Sequence, residues 1–177
     1  MTNEAPIAVP PAASSVPSGG SASDWADAWR LDIDIAWGDC DDAGIVFYPQ
    51  FFRWMDTAFH RWLRSRGSSH RDIVRQHGLI GLPIVDAGAT FRSPVSYDET
   101  ITIAVRIVEW RPRRFRVGYR GVKQDGTLVF EGHEVRAFAA RQGANPLTVA
   151  KAYQQFQLDG LVEVRRGVGM FVASGAA

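Results

Sequence analysis

The sequence predicts an α+β domain in which a curved antiparallel β-sheet wraps around one long central α-helix. Three observations lead to this prediction. One long apolar helix precedes most of the strands, the strands follow one another in hairpins, and the helix is apolar around about half of its circumference. A surface helix usually has a narrower apolar stripe, so other elements must cover this helix on more than one side.

The chain starts its folded part with a strand and continues with the helix. Trp29 to Ile35 alternates apolar and polar residues, which is the period of a half-buried strand. Pro49 suits the first position of a helix and Gly67 suits its C-cap, so the helix has a defined start and end. We expect its apolar face, and the tryptophans beside it, to be core: Phe51, Phe52, Trp54, Met55, Ala58, Phe59, Trp62 and Leu63.

The rest of the chain is mostly strand. The Gln124–Thr127 segment predicts a hairpin with a two-residue turn. A short helix is expected near the C-terminus, from Asn145 to Phe156. The strands themselves are predicted by β-branched or alternating residues at Ile84 to Phe91, Ile101 to Val108, Phe115 to Tyr119 and Leu128 to Phe138.

Composition divides the chain into three parts. Residues 1–28 are rich in Pro, Ala, Ser and Gly and predict a disordered leader, because such a segment cannot build a core. Residues 29–158 form the folded domain, and residues 159–177 form a C-terminal extension.

Charge and composition exclude several classes of protein. The 177 residues carry a formal net charge of +1, which argues against bulk attraction to nucleic acid or membranes. One cysteine excludes an intramolecular disulfide framework and fits a reducing compartment. No apolar run is long enough to cross a bilayer, and the leader lacks the basic start of a secretory signal. We therefore expect a cytoplasmic protein without nucleic-acid or membrane partners.

The stretch WGDCDDAGIVFYP places three acids, Asp39, Asp41 and Asp42, directly before the helix. A calcium loop fits only in part, because Ala43 occupies a ligand position and Gln50 replaces the required glutamate. A nucleophilic Cys40 would need an activating histidine, and none is nearby in the sequence. The four histidines show no metal-ligand spacing, so we predict no metal and no cofactor.

An acid beside a helix start can also serve acyl transfer. The first N–H groups of a helix lack intrahelical partners and can polarise a carbonyl oxygen or hold an oxyanion. A neighbouring carboxylate can attack the carbonyl carbon or activate water. Helix capping remains the structural alternative, since acids commonly stabilise helix starts. One acid suffices for capping, however, and this chain has three.

The stretch WGDCDDAGIVFYPQFFRWMD resembles the active-site segment of the hotdog-fold acyl-CoA thioesterases, in particular the 4-hydroxybenzoyl-CoA thioesterase type. The resemblance continues in order along the chain, covers about Leu31 to Phe156, and includes Gly81-Leu-Pro-Ile-Val85, the Ser96-Tyr-Asp-Glu turn, Glu109-Trp-Arg111 and Glu134-Val-Arg136. It implies a hotdog thioesterase domain in which Asp41 is the catalytic carboxylate and the backbone N–H of Tyr48 points at the thioester carbonyl. Asp42 departs from the family, which usually has proline or a small residue there.

The resemblance also implies the substrate. A histidine near the helix start is common in the short-chain branch and is missing here, which favours an aromatic acyl-CoA such as hydroxybenzoyl-CoA. The residues expected to contact the acyl group are Phe47, Tyr48, Phe51 and, through a polar ring substituent, Asp56. Asp56 has the structural alternative of capping or of pairing with a nearby arginine.

Trp110 to Arg116 is the densest basic cluster of the sequence. Arg111, Arg113 and Arg114 are candidates for binding the phosphates of coenzyme A. They can equally be a solvated hairpin flank that prevents edge aggregation. The resembling family builds its sites across a dimer interface, so a homodimer assembled into a homotetramer is expected. A hydratase or dehydratase, and a module that binds acyl thioesters without turnover, remain the alternative functions.

Overall fold

The structure is a computed structural model that describes residues 25–140 and two short strands, 163–165 and 169–171. A single 3₁₀ turn, Trp37–Asp39, follows the first strand. The predicted helix from Asn145 to Phe156, most of the leader and most of the C-terminal extension lie outside the described residues. The elements are β1 (Trp29–Asp34), α1 (Pro49–Ser65), α2 (His70–Gln76), β2 (Leu79–Gly81), β3 (Ile84–Phe91), β4 (Thr100–Arg111), β5 (Arg114–Lys123), β6 (Leu128–Ala137), β7 (Ala139–Ala140), β8 (Glu163–Arg165) and β9 (Gly169–Phe171).

Five antiparallel strands form the main sheet in the order β1-β4-β5-β6-β3. Two pairs, β2 with β7 and β8 with β9, lie outside it. The alternation predicted for β5 is confirmed, because Phe115, Val117 and Tyr119 are buried. The α+β prediction, an antiparallel sheet packed on one long helix, is therefore confirmed.

The core lies between α1 and the inner face of the sheet. α1 starts at Pro49, as predicted, and its last turn is followed by Gly67 at φ 79°, a left-handed conformation that glycine adopts without strain. Seven side chains of this 17-residue helix are buried, and both tryptophans are core residues: Phe51, Trp54, Met55, Ala58, Phe59, Trp62 and Leu63. The wide apolar face is thus covered by the sheet and by the segments beside it.

Two local expectations require correction. The β5–β6 hairpin forms, but its loop closes between Lys123 and Thr127 and is one residue longer than the predicted two-residue turn. Gly126, at φ 86°, supplies the left-handed residue that such three-residue loops need. The sequence prediction also missed α2, although Ser69 and Asp72 form a capping box in which each binds the other's backbone N–H.

The domain begins earlier than predicted. Trp25, assigned to the leader, packs over Gly118 of the sheet, 3.3 Å from where a side-chain Cβ at that position would lie. Arg30 donates hydrogen bonds to the carbonyls of Trp25, Ala26 and Ala28 and fixes this segment. Residues 25–28 therefore pack with the folded domain.

β3 is an edge of the main sheet and has apolar side chains in solvent. Ile84, Val85 and Phe91 are all exposed along this strand. Exposed apolar edges are uncommon in monomers because they invite pairing with another chain. Across residues 25–140 and the two short strands, no helix has the length and apolar character that a membrane span needs.

Candidate active site

The three acids lie on a tight hairpin, residues 39–47, which we call the acidic hairpin. Its arms are joined by backbone hydrogen bonds of 2.9 Å from Phe47 to the carbonyl of Asp39 and from Asp41 to the carbonyl of Ile45. Gly44, at φ 72°, allows the chain to reverse at the tip. The second arm runs directly into α1, and Asp41 lies on the first arm, opposite Ile45.

Asp41 is exposed and does not cap the helix. Its Oδ1 accepts the N–H of Ala43 at 2.9 Å, within the hairpin tip. Tyr48 is the N-cap residue of α1, and no side chain hydrogen-bonds to the helix start there. Capping of α1 therefore does not explain any of the three acids in this structure.

The backbone N–H of Tyr48 is available at the start of α1. Pro49 has no N–H, while the N–H groups of Gln50 and Phe51 bond to the carbonyls of Phe47 and Tyr48 at 3.0 and 3.2 Å. Within the described residues, the Tyr48 N–H has no acceptor. Among the described residues, the Tyr48 N–H is thus a free donor at the helix start, and it directly follows the hairpin that carries the Asp41 carboxylate.

An apolar cavity of about 350 Å³ opens beside Tyr48. Phe51 forms its floor and packs against Phe91 and Phe130, with ring centres 5.0 Å apart in both pairs. Phe47 lies outside this lining and is exposed, packed edge-on against Tyr48. The lining residues are Ile45, Val46, Tyr48, Phe51, Phe91, Arg92, Ser93, Pro94 and Val95. The shape and apolar walls suit a flat ring.

Asp56 lies farther along α1 and outside the lining of this cavity. Its Oδ1 accepts Arg136 at 2.6 Å and lies 3.4 Å from His60 Nε2. The hydrogen bond from His60, and then the bond and charge of Arg136, lower the pKa of the Asp56 carboxyl to about 2 against the opposing effect of partial burial. Because its pKa is lowered, Asp56 is an ionised carboxylate. Its side chain remains 47% exposed, so it can still accept a hydrogen bond.

Arg136 connects Asp56 to a buried group of polar side chains. Glu134 accepts hydrogen bonds from Arg136 at 2.7 Å and from the Tyr119 hydroxyl at 2.8 Å. The Arg136 guanidinium also stacks 4.0 Å from the Phe59 ring centre. We call Asp56, Tyr119, Glu134 and Arg136 the ionic cluster. Burial, and then the charge of Glu134, raise the pKa of Tyr119 well above its usual value, so the phenol stays a donor.

The three arginines predicted to bind phosphates lie at the opposite end of the molecule. Arg111 and Arg114 end β4 and begin β5, and all three side chains are exposed around this turn. The cavity floor packs on Phe130, whereas Arg114 is in register with Ala137 on the same strand. Seven strand residues separate these positions by about 23 Å. Within one chain the arginines therefore do not meet the helix start.

Comparison with known proteins decides the family. Residues 35–172 match the model of a thioesterase-like superfamily, which is most of the chain. The chain belongs to this thioesterase-like superfamily. The predictions of a hotdog-fold chain and of an enzyme of the thioester hydrolase class are confirmed by this membership.

Two relatives and one solved structure illustrate the similarity to individual members of the superfamily. The chain is 38% identical over 115 residues to a 4-hydroxybenzoyl-CoA thioesterase from Pseudomonas sp. (strain CBS-3), covering 62% of this chain and 81% of the relative. It is 27% identical over 121 residues to a 1,4-dihydroxy-2-naphthoyl-CoA hydrolase from Picosynechococcus sp., covering 68% and 81%. Among solved structures, a mutant 4-hydroxybenzoyl CoA thioesterase complexed with 4-hydroxybenzoyl CoA superposes with a TM-score of 0.60 at 34% identity, covering 68% and 89%.

Cys40 and the candidate calcium ligands have the following surroundings among the described residues. Cys40 is half-buried and free, and its hairpin neighbours are the acids and not a histidine. Asp39, a candidate calcium ligand, is bound to Arg53 at 2.9 Å. No group of three potential metal-ligand side chains occurs in the part of the chain that the structure describes.

Several residues of the site have little signal in the sequence. Arg92 to Val95 follow a strand and gave no reason to place them beside the helix start. Arg53 contacts the acidic hairpin through Asp39, and no motif in the sequence indicated this contact. Such contacts join residues far apart in the chain, which periodicity and spacing do not report.

Proposed function

We propose that this chain hydrolyses aromatic acyl-CoA thioesters, with Asp41 as the catalytic carboxylate and the Tyr48 N–H as the carbonyl-polarising donor. The observation that carries the proposal is the combination of an exposed carboxylate on the acidic hairpin with an unused backbone N–H at the helix start that directly follows this hairpin. Tyr48 lines the aromatic cavity, and so do Ile45 and Val46 of the hairpin that carries Asp41. A reacting carbonyl placed there has a donor for its oxygen and an acid for its carbon.

The chemistry needs no metal or further cofactor. A hydrogen bond from Tyr48 N–H, strengthened by the partial positive charge of the helix start, would stabilise negative charge on the carbonyl oxygen. Asp41 would then attack the carbonyl carbon, or remove a proton from a water that attacks it. In either route a C–O bond forms, the C–S bond breaks and the thiolate of coenzyme A leaves. In the attack route the product is an acyl–Asp41 anhydride, which water then hydrolyses to release the acid and restore Asp41, and the thiolate takes up a proton from water. In the base route the thiolate takes up the proton that Asp41 removed from water.

Aromatic substrates are supported by the walls of the cavity. Tyr48, Phe51 and Phe91 present ring faces and edges, which pack well on a planar acyl group. The relatives named above act on hydroxylated aromatic acyl-CoAs. Asp56 lies outside the cavity lining, but it is ionised and half-exposed, so it can accept a hydrogen bond from the hydroxyl of a ring that extends beyond this lining. We therefore propose a hydroxylated aromatic acyl group. Phe47, exposed at the same helix start, is proposed as a further acyl contact.

The coenzyme A arginines require a second protomer in this proposal. If β3 pairs with its own copy about a two-fold axis, the Phe91 end of one strand meets the Ile84 end of the other. Within each protomer, Ile84 is in register with Arg136, at the end of the sheet that also carries Arg113 and Arg114. A β3-mediated dimer thus brings these arginines, with Arg111, towards the other protomer's helix start. Assembly of two such dimers into a tetramer stays an expectation.

A panel of acyl-CoAs tests the substrate class directly. Thiol release should be fastest with hydroxybenzoyl-CoA and related aromatic thioesters, and slow with unbranched aliphatic ones of similar size. An aliphatic acyl-CoA with equal or higher kcat/KM would contradict the aromatic proposal. Loss of the α,β-double bond of an enoyl-CoA without thiol release would indicate a hydratase, and tight binding without any turnover would indicate a binding module.

A further inference from the structure

A salt bridge between Asp39 and Arg53 connects the acidic hairpin to α1, and it has no role in the proposed chemistry. Asp39 Oδ1 accepts a hydrogen bond from the Arg53 side chain at 2.9 Å, and Oδ2 accepts the N–H of Ala36 at 3.0 Å. The backbone carbonyl of Asp39 accepts Phe47 N–H at 2.9 Å. Asp39 therefore joins the end of β1, the helix and the residue before Tyr48.

Asp39 and Arg53 differ strongly in their exposure to solvent. The Asp39 side chain is 12% exposed, whereas Arg53 is 63% exposed. Ion pairs with one partner in solvent stabilise proteins little, commonly by about 1 kcal/mol or less. The pair is therefore a poor device for holding the fold together. Its geometry, which sets the position of the hairpin, is the stronger explanation.

The two arms of the acidic hairpin are anchored separately. The second arm is fixed to the sheet side, because Val46 N–H donates to Val95 O at 2.9 Å and the Ser96 hydroxyl donates to Gly44 O at 2.6 Å. The first arm, which carries Asp41, has no such bonds to the β3–β4 connection among the described residues. It is joined to the second arm by the backbone bonds given above, and its side-chain contact with the helix is the bond from Arg53 to Asp39.

We propose that Asp39 and Arg53 form a positioning pair that sets Asp41 relative to the helix start. This proposal rests on the proposed catalytic function of Asp41 and Tyr48. Without the pair, the first arm keeps its backbone bonds to the second arm but loses its side-chain contact with the helix, so the position of Asp41 relative to the Tyr48 N–H is less well fixed. A displacement of about 1 Å in a reacting group can lower a rate about 10²-fold, so the consequence should be catalytic and not structural.

Steady-state kinetics on the full-length chain, with 4-hydroxybenzoyl-CoA as the probe, test this pair. Asp39→Asn and Arg53→Gln should each lower kcat about 10- to 100-fold and change KM by less than about threefold. The double variant should lose no more than either single variant, because both remove the same interaction. Arg53→Lys should recover most of the loss, since it restores a cation at the same place.

Two controls separate positioning from folding and from the catalytic proposal itself. Arg75→Gln breaks a surface ion pair of 3.9 Å on α2 and should leave kcat unchanged. Thermal unfolding of all variants should stay close to wild type. Asp41→Asn is measured alongside them, and full activity in that variant would refute the proposed function, whatever Asp39 does. Wild-type kcat in Asp39→Asn and Arg53→Gln, with an inactive Asp41→Asn, would refute the positioning pair alone. Additive losses, or no recovery in Arg53→Lys, would also refute it.

Discussion

The acidic hairpin and the ionic cluster both border α1, and they differ in how completely their polar atoms are paired. In the ionic cluster, Glu134 receives three hydrogen bonds from Tyr119 and Arg136, and both Glu134 and Arg136 are almost fully buried. In the acidic hairpin, Asp41 is exposed and accepts one backbone N–H, that of Ala43. The contrast shows that the polar groups available to a substrate lie mainly in the acidic hairpin rather than in the ionic cluster.

Buried charges demand partners, because an unpaired charge in a protein interior costs several kcal/mol. In the ionic cluster, Glu134 and Arg136 are paired with each other, and only the exposed part of Asp56 is available to a substrate. At the helix start, the Asp41 carboxylate lies at the surface, where water solvates it until a substrate displaces the water. Removal of one residue should thus affect stability in the first region and turnover in the second.

The largest stability effect is expected for Arg136→Leu. This change leaves Glu134 buried without its cation, and the free energy of unfolding should fall by about 3–5 kcal/mol. Denaturant unfolding monitored by circular dichroism measures the loss. The double variant Glu134→Leu/Arg136→Leu should recover part of it, because no unpaired charge remains. A loss below about 1 kcal/mol for Arg136→Leu would mean that the two regions do not differ as described.

A smaller effect, on substrate binding, is expected for charge reversal of Arg113 and Arg114. Both side chains are exposed, as Asp41 is, so their replacement should leave stability nearly unchanged. Hydrogen bonds to charged groups contribute about 1.5–3 kcal/mol, so KM for an aromatic acyl-CoA should rise at least about tenfold with kcat nearly constant. A pantetheine thioester, which lacks the nucleotide phosphates, should show no difference from wild type. A defect confined to kcat would place these arginines outside phosphate binding.

The smallest effect is expected at acidic pH from Asp56. Its pKa is lowered to about 2 in the folded protein, mainly by hydrogen bonding from His60, compared with a usual value of 3.8. The unfolded chain binds the proton more readily, so stability rises with pH and is lost as pH falls from about 4 to about 2. Since Asp56 is half-exposed, its contribution should be about 1 kcal/mol or less. Asp56→Asn should flatten this part of the stability curve, and an unchanged slope would show that Asp56 is not paired.

The sequence predicted those features that depend on local pattern. Alternation identified the buried face of β5 through Phe115, Val117 and Tyr119, and the terminal residues Pro49 and Gly67 bounded α1. The acids before the helix led to the prediction of a site there, because their number exceeds what capping requires, and this site stays a prediction.

The remaining features depend on contacts between distant residues. The bond from Arg136 to Asp56 joins positions 80 residues apart, and the bond from Ser96 to Gly44 joins positions 52 apart. Spacing along the chain contains no information about such pairs. The separation of the arginines from the helix start follows from strand register, which likewise appears only in the folded sheet. α2 was different, since the capping box of Ser69 and Asp72 could have revealed it.

The central claim is that the helix start works through one carboxylate, and a measurement on Asp41→Asn tests it most directly. Asparagine keeps the size of the side chain and can still accept the N–H of Ala43, so the fold and the binding of a non-hydrolysable aromatic acyl-CoA analogue should persist. The carboxylate is lost for both attack and base catalysis, so kcat should fall by at least about 10³-fold. Asp42→Asn, at the exposed neighbouring acid, is the matched control and should lose much less. An Asp41→Asn protein that binds the analogue and turns over at the wild-type rate would contradict the account.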